Sequence, residues 1–197
     1  MAIERNREET EKRILDAVGR LIATDGFEKV GVNAVAMSAG VAKMLIYRYF
    51  DSFEGLLAAY IRKYDYWLNV DISIPTDRGL LAPFVVRLYQ SQIEQLRTDV
   101  VMRRLLRWEL SVENDMITKV REYREEQGLK LISAVSKLSR KPQSEVAVMA
   151  SLISASITYL ILLADRGGVY NGISIDSEEG WEQIVSGIEI IVNKYLG

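Results

Sequence analysis

The chain contains no cysteine and no histidine, and only three prolines, in 197 residues. Without cysteine there is no disulfide, no thiolate metal site and no cysteine nucleophile. Without histidine the commonest general base and the commonest metal ligand are lost together, leaving carboxylate, lysine, tyrosine or hydroxyl groups for any catalysis. A protein that is not an enzyme and holds no cofactor or metal is therefore expected. Met1 to Thr10 is charged and lacks the apolar stretch of a secretory signal, so a cytoplasmic location is expected. An excess of either charge is also missing, with 25 Lys and Arg against 27 Asp and Glu. Within residues 1–53 the balance is eight of each, which does not announce a strong nonspecific DNA binder.

What is present is helical periodicity, in a chain that is 49% apolar and long enough to bury a core. Ile14, Val18, Leu21 and Ile22 mark a first helix, stopped at Asp25-Gly26. Two short apolar segments follow, Val32 to Ala39 and Ala42 to Phe50, joined by a tight turn at Gly40-Val41. Asp51 and Glu54 read as a capping box opening a fourth helix that runs through Tyr60, Tyr64 and Leu68. Val70 to Gly79, with Pro75, breaks it. Leu80 to Leu96, Val100 to Val112 and Ile117 to Leu138 are three more helices. Pro142 suits the first turn of another, which ends before Gly167-Gly168, and Ile184, Ile188, Ile191 and Tyr195 mark the last. Only Val169 to Ile175 is a plausible extended piece, so the fold class is all-α.

Ala36, Gly40 and Ile46 have the spacing of a helix-turn-helix. The motif needs a small residue at the helix crossing, a turn residue that tolerates positive φ, and an apolar anchor on the second helix. Val35, Val41 and Leu45 add anchors, leaving Lys43, Met44, Tyr47, Arg48 and Tyr49 to face outward. Spacing alone fits an ordinary helical hairpin equally well.

The stretch Ile14 to Leu57 separates the two readings. ILDAVGRLIATDGF, VAMSAGVAKMLIYRYF and DSFEGLL resemble the N-terminal domain of the tetracycline-repressor family, most specifically in AGVAKMLIYRYF, residues 39–50. The resemblance implies a three-helix DNA-binding domain over residues 1–53, a helical regulatory and dimerisation domain over 54–197, homodimerisation, and repression of a double-stranded DNA operator relieved by a small-molecule ligand. Carried over by position, Lys43, Met44, Tyr47, Arg48 and Tyr49 face DNA, with Asn33 on the preceding helix. Three positions depart from the family pattern. Val30-Gly31 stands where Thr-Thr is usual, Ala42 replaces a frequent serine, and Phe53 occupies a position commonly held by a phosphate-approaching lysine. A helical dimer or scaffold with a degenerate motif is therefore a competing reading, and a carboxylate-dependent enzyme a further one.

Val146 to Ala164 contains nineteen consecutive uncharged residues, enough to raise a membrane span. Ser151, Ser154, Ser156 and Thr158 interrupt it and its flanks show no basic asymmetry of note, so a dimer interface is the reading adopted, with no membrane partner. The resemblance places this helix and the last one in an intersubunit four-helix bundle. For an unknown small ligand, Tyr60, Tyr64, Trp67, Met102, Trp108, Tyr123, Gln127 and Tyr159 combine apolar bodies with a few polar tips. Arg103, Arg104 and Arg107, with Glu109 and Glu113 nearby, read as a solvated, salt-bridged face.

Overall fold

The computed structural model describes residues 2–65, 73–113 and 115–197, apart from the side chains of residues 2–6 and 28. Nine α-helices lie among the described residues, with two 3-10 turns and one short β-hairpin. They are α1 (Ala2–Asp25), α2 (Val32–Ala39), α3 (Lys43–Phe50), α4 (Phe53–Tyr64), α5 (Leu81–Thr98), α6 (Val100–Ser111), α7 (Asp115–Ser139), α8 (Gln143–Ala164) and α9 (Glu178–Leu196). Phe27–Lys29 and Arg78–Leu80 form the 3-10 turns. The hairpin pairs β1 (Val169–Tyr170) antiparallel with β2 (Ile173–Ser174), Val169 opposite Ser174 and Tyr170 opposite Ile173.

Two compact units are present. The first comprises residues 1–69 and 100–124, the second residues 70–99 and 125–197. In the first, Ile14, Ala17, Val18 and Ile22 are fully buried on α1 and pack with Val35, Ile46, Leu56 and Ile61 as its core. Their i, i+3, i+4, i+8 spacing on α1 is the physical content of the periodic signal. In the second unit Leu81, Val85 and Leu88 of α5 are buried with Ile153, Ile157 and Ile161 of α8 and with Trp181, Ile188 and Val192 of α9.

Several element ends are decided by backbone geometry. Gly26 adopts φ 85° and donates to the Ile22 carbonyl at 3.1 Å, stopping α1 where Asp25-Gly26 predicts. The cap of α4 is a correction. Ser52, rather than Asp51, is its N-cap, accepting from the Gly55 N–H at 2.9 Å. Asp51 is held outside the helix at φ 63°, ψ −43°, with the Ser52 N–H donating to the Phe50 carbonyl at 2.7 Å. That is a γ-turn of the rare, strained hand, and it leaves the Asp51 side chain unable to cap α4. Pro142 lies one position earlier than expected, at the N-cap of α8. α4 is described to Tyr64, and the remainder of its expected course, with Trp67, lies outside the described residues.

Another correction concerns Glu109. Only 5% exposed, it is not part of a solvated face. Its carboxylate accepts from Arg124 Nη1 at 2.7 Å and Nη2 at 3.0 Å, while Arg124 Nε donates to Asp65 Oδ2 at 2.8 Å. Arg104 is equally committed, donating to the Ile22 carbonyl at 2.7 Å and so satisfying the C-terminal end of α1.

Candidate nucleic-acid interface

The α2–α3 pair is built around Gly40. At φ 64°, ψ 42° it takes the left-handed conformation that glycine tolerates, and two hydrogen bonds close the end of α2 around it. The Val41 N–H donates to the Ala36 carbonyl at 3.0 Å and the Gly40 N–H to the Met37 carbonyl at 3.2 Å, the paired bonds of a Schellman motif. Arg13 of α1 then donates through Nη2 to the carbonyls of Ala39 (2.7 Å) and Gly40 (3.2 Å), and Arg20 to that of Ser38 (3.1 Å). The turn is thus fixed by its own backbone and from below by α1. These two arginines were not identifiable from the motif, since their partners lie 26 and 18 residues away.

With Ile46 fully buried, the opposite side of α3 must face outward. Lys43, Met44, Tyr47 and Arg48 are exposed there, Met44 by 75%, and Asn33 is exposed on α2. Lys43 and Tyr47, one turn apart, lie together, the ammonium 5.8 Å from the ring centroid. Tyr49 is half-buried, with the Arg7 guanidinium 5.3 Å over its ring. Arg7 is itself oriented by Glu11 at 2.8 Å, and that bond holds its pKa above the ordinary value. Sequence reasoning passed over Arg7 and over Met37, which is 84% exposed on α2. An i, i+4 Arg-Glu pair was the available signal for the former. The departures are visible too. Neither Gly31 nor Ala42 supplies a side-chain cap, and Phe53 is the half-buried first residue of α4.

The candidate ligand residues divide between the units. In the first, Tyr60 is buried with its ring 4.8 Å from that of Tyr64, whose hydroxyl donates to Asp16 at 3.2 Å. Burial first, then that bond, raise the Tyr64 pKa. Met102 is buried, Trp108 stacks on Phe27 at 4.5 Å, and Tyr123 is exposed. In the second unit Gln127 is half-buried, and the exposed Tyr159 meets Tyr170 of the hairpin edge-on at 5.7 Å. Trp67 lies outside the described residues. Sequence reasoning also missed Gln92 on α5. It is 1% exposed, and its carboxamide oxygen accepts no hydrogen bond among the described residues. On the same helix, burial pushes the Tyr89 hydroxyl up to about 12 against the opposing hydrogen bond to Ser154, keeping it protonated.

The fold and the crossed helix pair define the class: an all-helical protein with an N-terminal helix-turn-helix. Residues 14–60 match the family described as bacterial regulatory proteins, tetR family. Over 51 residues it is 43% identical to an uncharacterized HTH-type transcriptional regulator of Mycobacterium tuberculosis strain CDC 1551 / Oshkosh. The same figure holds for an uncharacterized HTH-type regulator of strain ATCC 25618 / H37Rv. The matched segment is 26% of this chain and spans a quarter of the length of each curated relative. Solved structures share the fold over nearly the whole chain. An HlyIIR mutant protein superposes with a TM-score of 0.63 at 15% identity, covering 93% of this chain and 95% of its own. NalD of Pseudomonas aeruginosa, the secondary repressor of the MexAB-OprM multidrug efflux pump, gives 0.57 at 16%, covering 92% and 96%.

Proposed function

We propose that the chain is a DNA-binding transcriptional regulator, a homodimer acting in the cytoplasm as a repressor that a small molecule releases. In this reading residues 1–53 bind DNA, and residues 54–197 dimerise and sense the ligand. The observation that carries it is the exposed row Lys43, Met44, Tyr47 and Arg48 on a helix whose pose is fixed by the Gly40 turn and Arg13. A rigid helix presenting a cation, a phenol and a guanidinium on one face suits a major groove, with the cations neutralising phosphates or reading base edges. That NalD is a repressor favours the sign of the effect.

The test is protection of a palindrome in the DNA upstream of the coding sequence. Lys43→Ala should weaken binding and lower its salt dependence by about one counterion per subunit if the ammonium meets a phosphate. Tyr47→Phe should cost about 1 kcal/mol per subunit and leave the fold intact. Unchanged affinity in the folded double variant would refute this assignment of the recognition face. The uncapped starts of α2 and α3 favour the second reading, a helical dimer with little DNA binding, which absence of any footprint across several salt concentrations would support.

Dimerisation is proposed through α8 and α9. By length and composition α8 could cross a membrane, with a mean hydropathy of 2.2 in its most apolar window. However, Val146, Ile153, Ile157 and Ile161 are buried in protein, while Val148, Leu152 and Tyr159 form an exposed stripe at roughly helical spacing. One buried face and one exposed apolar face fit a subunit contact better than a lipid-surrounded span. Ile190 and Ile191 on α9 are exposed as well. Leu152, 68% exposed, is the discriminating position. Leu152→Glu should give a folded monomer at tens of micromolar in sedimentation, whereas Ile157→Glu, on a fully buried side chain, should unfold the chain. A Leu152→Glu protein that remains dimeric would remove α8 from the interface. For the ligand, Gln92 adds a buried acceptor to the candidate residues of the second unit.

A further inference from the structure

We propose that the groove between the starts of α4 and α7 binds an organic cation with an apolar body of drug size. It lies wholly within the first unit and is an open groove of about 1030 Å³, at the upper end of small-molecule sites. Phe50, Ala58, Met116 and Val120 give it apolar walls. The helical spacing of its lining on each side means that both walls are continuous helix faces.

The charge on the lining sets the sign of the occupant. Asp51, Glu54 and Asp115 all line the groove, and none of the three carboxylates has a hydrogen bond or ion pair with a described residue. Two cations, Arg62 and Lys119, also line it. Three carboxylates against two cations leave the lining net negative by one charge, which favours a cation over an anion. A metal ion is a poor fit, because no group of three or more His, Cys, Asp or Glu among the described residues is close enough to hold one. The apolar walls instead suit a hydrocarbon or aromatic body, with the exposed Tyr123 ring available to a cation.

The groove also reaches the residue that ends the recognition helix. Asp51 is both a lining carboxylate and the centre of the γ-turn at φ 63°. A cation held beside it bears on the turn that joins α3 to α4. Any effect on operator affinity would rest on the DNA-binding reading above, whereas binding itself does not.

Tetraphenylphosphonium and tetraphenylborate test the site, being ions of nearly the same size and shape and of opposite charge. Calorimetric titration into the full chain should give saturable phosphonium binding at least tenfold tighter than borate binding. The Asp51→Asn, Glu54→Gln, Asp115→Asn triple variant should lose that preference. All three side chains are exposed and asparagine tolerates positive φ, so the fold should survive, as circular dichroism would verify. Lys119→Glu, also on an exposed side chain, should tighten the phosphonium several-fold. Borate binding as tight as phosphonium, or phosphonium binding indifferent to both variants, would overturn the proposal. Phosphonium binding that responds to both variants in a chain that protects no DNA would uphold the site while overturning the regulator.

Discussion

Replacing Gly55 by alanine should lower the melting temperature by roughly 5–10 °C and, on the DNA-binding reading proposed above, abolish sequence-specific DNA binding, although the residue is outside α3 and adds one methyl group. A Cβ at position 55 would lie 2.0 Å from the Phe50 carbonyl oxygen and 3.3 Å from the Ser52 hydroxyl. The first distance is far inside any van der Waals contact, and the obstructing atom is backbone, so no rotamer change relieves it. Either the γ-turn at Asp51 opens or the first turn of α4 shifts, and each loses the Ser52 cap on the Gly55 N–H. Overpacking of this kind costs roughly 1–3 kcal/mol, and loss of a serine cap about 1 more. Because Phe50 is the last residue of α3, the displacement is delivered to α3 itself. Gly180→Ala is the matched control. Its Cβ would meet the Ser174 carbonyl oxygen at 1.8 Å in the second unit, so it should destabilise without disturbing the helix-turn-helix. A Gly55→Ala protein with parental melting temperature and operator affinity would show that the α3–α4 junction is soft, contrary to the geometry.

Most of the helices were legible in the sequence because apolar residues recur along them at helical spacing, and the stops at Gly26 and Gly40 use the positive φ that glycine supplies. The outward face of α3 follows from its inward one. Once Ile46 anchors the helix, Lys43 and Tyr47 have only solvent to face. Legibility failed where a local pattern competed with a neighbour. Asp51 and Glu54 have capping-box spacing, yet Ser52 and Gly55 have the geometry, and no local rule separates two overlapping candidates. It failed again for contacts between residues far apart in sequence. Arg13 and Arg20 look like charges on a solvated helix until α2 is placed against α1, and Arg104, which caps α1 across 82 residues, has no local signature. The candidate ligand residues were chosen for chemistry at helical spacing, and helical spacing says nothing about which of the two units a side chain joins.

Arg124→Met should be the most destabilising single substitution in the first unit outside its apolar core, at roughly 3–5 kcal/mol. The Arg124 side chain is 16% exposed, and those of its two carboxylate partners, Asp65 and Glu109, are 2% and 6% exposed. Burial pulls the guanidinium pKa down, but the bond from Glu109 and the charges of both carboxylates outweigh it and leave it raised, so the group is cationic at any accessible pH. Its planar fork engages the end of α4 through Asp65 and α6 through Glu109 at once, which a lysine ammonium cannot reproduce. Arg124→Lys should therefore recover only part of the loss. Removing the guanidinium strands two negative charges in a poorly hydrated space, and most of the cost comes from that rather than from lost attraction. The combination Arg124→Met, Asp65→Leu, Glu109→Met removes all three charges at similar volume and should regain much of the stability that Arg124→Met forfeits. Urea denaturation of the four proteins decides between electrostatics and packing. If the triple variant is less stable than Arg124→Met by a further 2 kcal/mol or more, the cluster holds the helices by shape, and the charge argument fails.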